Sequence, residues 1–169
     1  MINKARKFAT RMHASIDQRR KYSGEPYIVH PAAVAKLVAG VTDDAAMISA
    51  AWLHDVVEDT PVTIAQIEIE FGHEIATLVD ELTDVSTPQD GNRRVRKQID
   101  LKHTQAASPR AKTVKLADLI DNSYSISEHD PGFAKIYMAE KKRLLVVLRE
   151  GNPTLYAMAM EIVEAYYKR

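Results

Sequence analysis

The residues most suited to chemistry lie close together near position 55, where His54-Asp55 is followed one helical turn later by Glu58-Asp59. At 3.6 residues per turn, His54 stacks on Glu58 and Asp55 on Asp59, giving two adjacent polar rows. The stretch before them, residues 45–57, is apolar on nearly every side and predicts a buried helix. A buried carboxylate without compensation costs several kcal/mol. A divalent ion held by His54 and Asp55 would supply that compensation and leave Glu58 and Asp59 reaching past it. Taken alone, Glu58 and Asp59 read better as a solvated acidic helix end. A His-Asp pair set inside an apolar helix argues for the ion.

Two further positions fit the same chemistry. His30 stands in EPYIVHP, where Pro31 starts a helix and fixes the turn that carries the histidine. On its own it reads as a turn or capping residue. Asp118 stands in VKLADLI, an aspartate among apolar neighbours that could otherwise be a half-buried partner of Lys115. Together, His30, His54, Asp55 and Asp118 offer two imidazoles and two carboxylates. That mixed set suits Mn²⁺, Fe²⁺, Co²⁺ or Zn²⁺ better than Mg²⁺. His13, His73, His103 and His129 have no ligand partner at helical spacing and read as structural or surface residues. The basic run Arg93, Arg94, Arg96 and Lys97 reads first as a solvated face, and Tyr137 as a core residue of an amphipathic helix. The basic run remains open to an anionic ligand, as do Lys112 and Lys115, and Tyr137 to contact with a base.

These stretches, in this order and spacing, resemble the HD hydrolase domain of RelA/SpoT proteins in its stand-alone small alarmone hydrolase form. The matching segments are residues 23–31 (SGEPYIVHP), 53–60 (LHDVVEDT) and 114–118 (VKLAD) followed by Asn122, and the likeness covers essentially the whole chain. The resemblance implies an all-α, single-domain HD-type bundle of roughly eight to ten helices over residues 1–169. It implies that His30, His54, Asp55 and Asp118 hold Mn²⁺ and that Glu58 and Asp59 position and deprotonate the attacking water. Asn122 would contact the nucleotide sugar. Beyond what the resemblance implies, Arg20 or Lys21 in the lengthened loop could stack on the base, and Ser23, Lys112 and Tyr137 are read as further substrate contacts. The implied reaction removes pyrophosphate from the 3′ position of guanosine tetra- or pentaphosphate.

Three departures touch the substrate-reading residues. An arginine is common in the family two positions after the Asn122 equivalent, where this chain has Tyr124. Asp121 occupies a place where an aromatic residue or histidine is common. The loop Arg19-Arg20-Lys21-Tyr22 is one residue longer before Ser23 than the commonest pattern. Alternative substrates are therefore adenosine alarmones, the 2′-phosphate of NADPH, or 5′-monophosphates of a generic HD nucleotidase. A nucleotide-sensing or toxin-neutralising binding module is the non-enzyme alternative, and the Glu58-Asp59 pair argues against it.

Helices must position these groups, because apolar residues recur at three- and four-residue spacing almost throughout. The pattern predicts helices over residues 2–19, 31–40, 42–58, 63–71, 73–82, 93–105, 109–126, 131–149 and 153 onward, with Gly or Pro near most junctions. The chain has 169 residues, enough to bury a core, and no cysteine, which excludes disulfides, thiolate nucleophiles and Cys-ligated zinc. No P-loop, serine nucleophile elbow or HExxH is present. Lys+Arg and Asp+Glu number 23 each, so no global field draws the protein to nucleic acid or an anionic membrane. No apolar run reaches spanning length and no signal peptide stands at the N-terminus. A cytoplasmic protein with a small-molecule nucleotide substrate, and with homodimerisation open, is expected. No synthetase or regulatory domain is expected after Arg169.

Overall fold

Apolar spacing that favours helices is met by helices in the computed structural model, which describes residues 1–168. Among the described residues there are ten α-helices, one 3₁₀ turn at Pro88–Asp90 and no strand, only an isolated bridge between Arg19 and Pro26. The backbone divides into two compact units, Met1–Thr83 and the residues from Asp84 onward. Among the described residues no helix is long and apolar enough to cross a membrane.

The first unit contains α1 (Ile2–Ser15), α2 (Val29–Ala39), α3 (Ala45–Leu53), α4 (Val56–Asp59), α5 (Ile64–Phe71) and α6 (His73–Leu82). Its axis is α3, against which α1, α2 and α6 all pack. Asp44 starts α3 by accepting from the amides of Ala46 and Met47 at 3.0 and 3.1 Å. Ala50 and Ala51 are wholly buried, so small side chains let neighbouring helices approach closely. Leu53, Val34, Val38 and Ile67 fill the space around them, each stabilising by about 1.5–3 kcal/mol relative to exposure. Thr63 and Gln66 form a reciprocal capping box at the start of α5.

Two boundaries in this unit differ from the sequence expectation. α1 ends at Ser15 rather than near Arg19, because Asp17 takes φ +48° and turns the chain back. The amide of Gln18 then bonds the carbonyl of His13 at 3.1 Å. The helix expected over residues 42–58 is interrupted at His54-Asp55. Asp55 sits at φ −100°, ψ −4°, the bridge region where helical hydrogen bonding lapses, and α4 resumes after it.

The second unit contains α7 (Arg93–Ala106), α8 (Pro109–His129), α9 (Pro131–Val147) and α10 (Pro153–Tyr167). Here α8 is the axis, packed by α9 and α10. It is buried from Ala111 to Ile120 at every position except Lys115, which is partly exposed. Ser108 caps α8 with Pro109 in its first turn, as expected, but the helix runs three residues beyond residue 126, to His129. Gly151 lies so close to α8 that a Cβ there would stand 2.6 Å from Leu116 Cδ1 and 3.2 Å from the Lys112 carbonyl carbon. Asp100, buried on α7, secures the segment after Thr83 by accepting three hydrogen bonds. They come from the amides of Val85 and Ser86 at 3.0 and 2.9 Å and from the Ser86 hydroxyl at 2.7 Å. On α10, Leu155, Ala159 and Val163 form the buried stripe, with Met158, Ile162 and Tyr166 at its margins.

Candidate metal centre and its carboxylates

The interruption between α3 and α4 falls at His54 and Asp55. His54 Nδ1 lies 2.7 Å from the carbonyl of Ala51. A carbonyl only accepts, so Nδ1 carries the proton and Nε2 presents its lone pair. That lone pair faces Asp55, with Nε2 3.1 Å from Oδ2. His30, carried on the first turn of α2, brings its own Nε2 to 3.6 Å from the same oxygen. The two imidazole rings meet edge to face at 5.2 Å. Both histidines are buried and Asp55 is mostly so.

One ligand atom from each of His30, His54 and Asp55 therefore falls within 4.8 Å of the others. Two ligands about 2.1 Å from a common ion stand roughly 3.0 Å apart at a right angle and roughly 3.4 Å apart at the tetrahedral angle. The observed 3.1 and 3.6 Å separations are of that order. The donor set, two nitrogens and a carboxylate, fits a divalent transition metal. Tyr27 supports it from outside, donating its hydroxyl to Asp55 Oδ2 at 2.6 Å.

One turn on, α4 carries Glu58 and Asp59, both accessible. Asp59 Oδ2 accepts from Gln18 Nε2 at 2.8 Å. Burial by its surroundings holds the Asp59 carboxyl above the ordinary aspartate range, and the Asp55 carboxylate pushes the same way. The Gln18 hydrogen bond, His13 and His54 oppose them. Of the two readings that sequence context left for His13, structural or surface, the second fails. The residue is 1% exposed, and its Nδ1 lies 2.7 Å from Gln18 Oε1. A signal for this was present, since Ala5, Phe8, Ala9 and His13 form one buried stripe of α1. Gln18 and Tyr27 carried no such signal, because both lie in the turn-rich segment between α1 and α2.

The remaining candidates of the first unit lie in that same segment. Arg20 is half-buried with its guanidinium 5.9 Å from the Tyr27 ring centre, Lys21 is exposed over Tyr22, and Ser23 accepts from the Glu25 amide at 3.3 Å. In the second unit, Asp118 is buried on α8, where Asn122 donates to it at 2.7 Å and Lys115 Nζ lies 3.6 Å from its other oxygen. Lys112 is buried with its ammonium 2.6 Å from Glu150. Tyr137 is buried, as a core reading required, with Lys141 Nζ 4.7 Å from its ring centre.

The second unit also encloses a groove of about 1410 Å³ whose lining includes Arg94, Lys97, Lys102, Lys135, Lys141 and Arg143. Desolvation lowers the Lys141 ammonium from 10.5 to about 8, with Lys115 and Lys97 repelling it and Asp118 and Asp84 in opposition. Charge that is balanced over the whole chain is thus concentrated locally in favour of anions.

Comparison with known proteins identifies the family. A family model described as "HD domain" matches residues 5–144. The human guanosine-3′,5′-bis(diphosphate) 3′-pyrophosphohydrolase MESH1 is 41% identical over 128 residues, covering 73% of this chain and 68% of that protein. A Synechocystis protein named "Probable guanosine-3′,5′-bis(diphosphate) 3′-pyrophosphohydrolase" is 38% identical over 151 residues, 88% of this chain, which spans only 20% of that protein's length. A solved structure described under "A metazoan ortholog of SpoT hydrolyzes ppGpp and plays a role in starvation responses" superposes with a TM-score of 0.87 at 29% identity, over 98% of this chain and 94% of that one. The chain belongs to the HD-domain family, in the group of the SpoT-like hydrolases.

Proposed function

We propose that this protein is a manganese-dependent hydrolase of guanosine tetra- and pentaphosphate, releasing pyrophosphate from the 3′ position to give GDP or GTP. The observation that carries the reading is the convergence of His30, His54 and Asp55 beside the accessible carboxylates of α4. The names and the extent of the relatives support the substrate. Asp118 joins the ligand set on the strength of its place in VKLAD. We read residues 1–169 as one functional domain, since the family match crosses from the first unit into the second.

A bound divalent ion would supply charge neutralisation at the phosphoryl oxygens and a more acidic water. The protein's own part is to orient and to move protons. Asp59, or Glu58 beside it, takes a proton from the attacking water. The water oxygen bonds to the phosphorus attached to O3′, the P–O3′ bond breaks, O3′ gains a proton and pyrophosphate leaves. Arg20, Lys21 and Ser23 on the loop, with Asn122, Lys112 and Tyr137 on α8 and α9, are the proposed substrate contacts.

The test is turnover of a nucleotide panel with Mn²⁺ supplied: guanosine and adenosine alarmones, NADPH and 5′-monophosphates. Pyrophosphate release from the guanosine alarmones, at the highest kcat/KM of the panel, is expected. Release of orthophosphate from NADPH or a monophosphate, with the alarmones untouched, would overturn the assignment.

A further inference from the structure

Asp59 is held by a side chain that is itself held. Its Oδ2 accepts from Gln18 Nε2 at 2.8 Å, and Gln18 Oε1 lies 2.7 Å from His13 Nδ1. These contacts assign one another. A carboxylate can only accept, so the amide nitrogen of Gln18 must face Asp59 and its oxygen must face His13. An amide oxygen also only accepts, so His13 Nδ1 must carry a proton. The direction of donation is therefore His13 to Gln18 to Asp59.

The anchor of this chain is rigid. His13 is buried on the core stripe of α1, and its ring packs against Tyr27 with centres 4.9 Å apart. Gln18 is fixed through its backbone at both ends: its amide bonds the His13 carbonyl at 3.1 Å and its carbonyl accepts from the Tyr27 amide at 3.0 Å. Tyr27 in turn donates to Asp55 at 2.6 Å. One scaffold, buried at His13 and half-buried at Gln18 and Tyr27, thus bears on both the metal-ligand carboxylate and the accessible carboxylate beyond it. A histidine buried for packing alone has no need to end in a two-bond chain at a reactive group.

We propose that His13 and Gln18 are positioning residues that hold Asp59 in the orientation it needs toward the attacking water. The proposal rests on the assignment of Asp59 as a base. Its effect is on turnover rather than on substrate affinity, because neither residue touches the nucleotide in this role.

Two measurements on the metal-loaded protein test it, NMR with diamagnetic Zn²⁺ in place of Mn²⁺ and kinetics with Mn²⁺ itself. The first is NMR of the His13 imidazole, which needs no substrate. Wild type should show a proton on Nδ1 in slow exchange with water. That signal should shift or broaden in Gln18→Leu and also in Asp59→Ala, where release of the Gln18 amide removes the reason for its orientation. An unprotonated Nδ1, or a His13 signal indifferent to Asp59→Ala, would overturn the chain of donation whatever the enzyme's substrate proves to be.

The second is steady-state kinetics on the best nucleotide of the panel. Gln18→Leu should lower kcat about tenfold, the order expected from one lost hydrogen bond to a charged group, with KM and metal content near wild type. His13→Leu should match it, the double variant should lose little more, and His13→Asn, which restores a donor near Nδ1, should recover most of the turnover. Unchanged kcat in folded, metal-replete Gln18→Leu would refute the positioning role, as would a loss confined to KM. Absence of turnover by wild type on every nucleotide would count against the functional assignment, while the NMR result still decides the hydrogen-bonded chain.

Discussion

Replacing Lys141 with methionine should stabilise this protein at neutral pH. The substitution keeps an unbranched side chain of similar length and removes an ammonium that lies among Lys115 and Lys97 and is poorly solvated. The fall from 10.5 to about 8 means that folding makes this lysine release its proton more readily. Below about pH 8 the group is charged in both states, and the folded state bears the full penalty. As pH rises toward 10.5 the folded group is already neutral while the unfolded one loses its proton, so the penalty disappears. At about 1.36 kcal/mol per pH unit, the upper bound is about 3.4 kcal/mol. Lys141 retains some access to water in the groove, and loss of its ring contact with Tyr137 costs roughly 0.5–1 kcal/mol. A net gain of about 1–2 kcal/mol is the working expectation. Urea unfolding of both proteins at intervals from about pH 7 to about pH 10 reads it directly. The advantage of Lys141→Met should be largest at about pH 7 and shrink steadily above about pH 8. A variant less stable than wild type at neutral pH, or an advantage that does not change with pH, would refute the reasoning.

Exhaustive chelation should abolish turnover, and Mn²⁺ should restore it better than Mg²⁺ because two imidazoles sit in the ligand set; full activity in metal-free buffer would contradict the centre. Asp59→Asn and Glu58→Gln should keep stoichiometric metal by elemental analysis yet turn over at least about a hundredfold more slowly where the replaced group is the base. Gly151→Ala should cost about 1–3 kcal/mol in thermal or urea unfolding, since its Cβ would meet Leu116 at 2.6 Å and backbone atoms of Lys112 and Leu148 at 3.2 Å.

Elements whose ends are written in local chemistry were legible before the structure. Residues 73–82 form a helix with the expected bounds, and Thr63 and Ser108 cap as their types suggested. The polar pair at His54-Asp55 was visible because it breaks an apolar run. What the sequence could not show is what the chain does at single dihedrals. Asp17 at φ +48° ends α1 early and returns Gln18 to His13, and Asp55 at φ −100° splits what reads as one helix into two. Neither departure alters hydrophobic periodicity, so no pattern of apolar residues reports it. The Asp59 support went unseen for the same reason, since its members meet only after that reversal of the chain.

The shortness of α4 has a consequence for how the enzyme would respond to its surroundings. Four residues lie far below the length at which a helix persists by its own cooperativity. This turn owes its shape to burial of Val56, to the Thr60 hydroxyl bonded back to the Val56 carbonyl at 2.7 Å, and to the histidine–aspartate pair that precedes it. Loss of the ion would release that last restraint, so residues 56–60 should open to amide exchange well before α3 does. The supply of metal would then act as a dimmer, setting how much of the population holds its acidic turn ready.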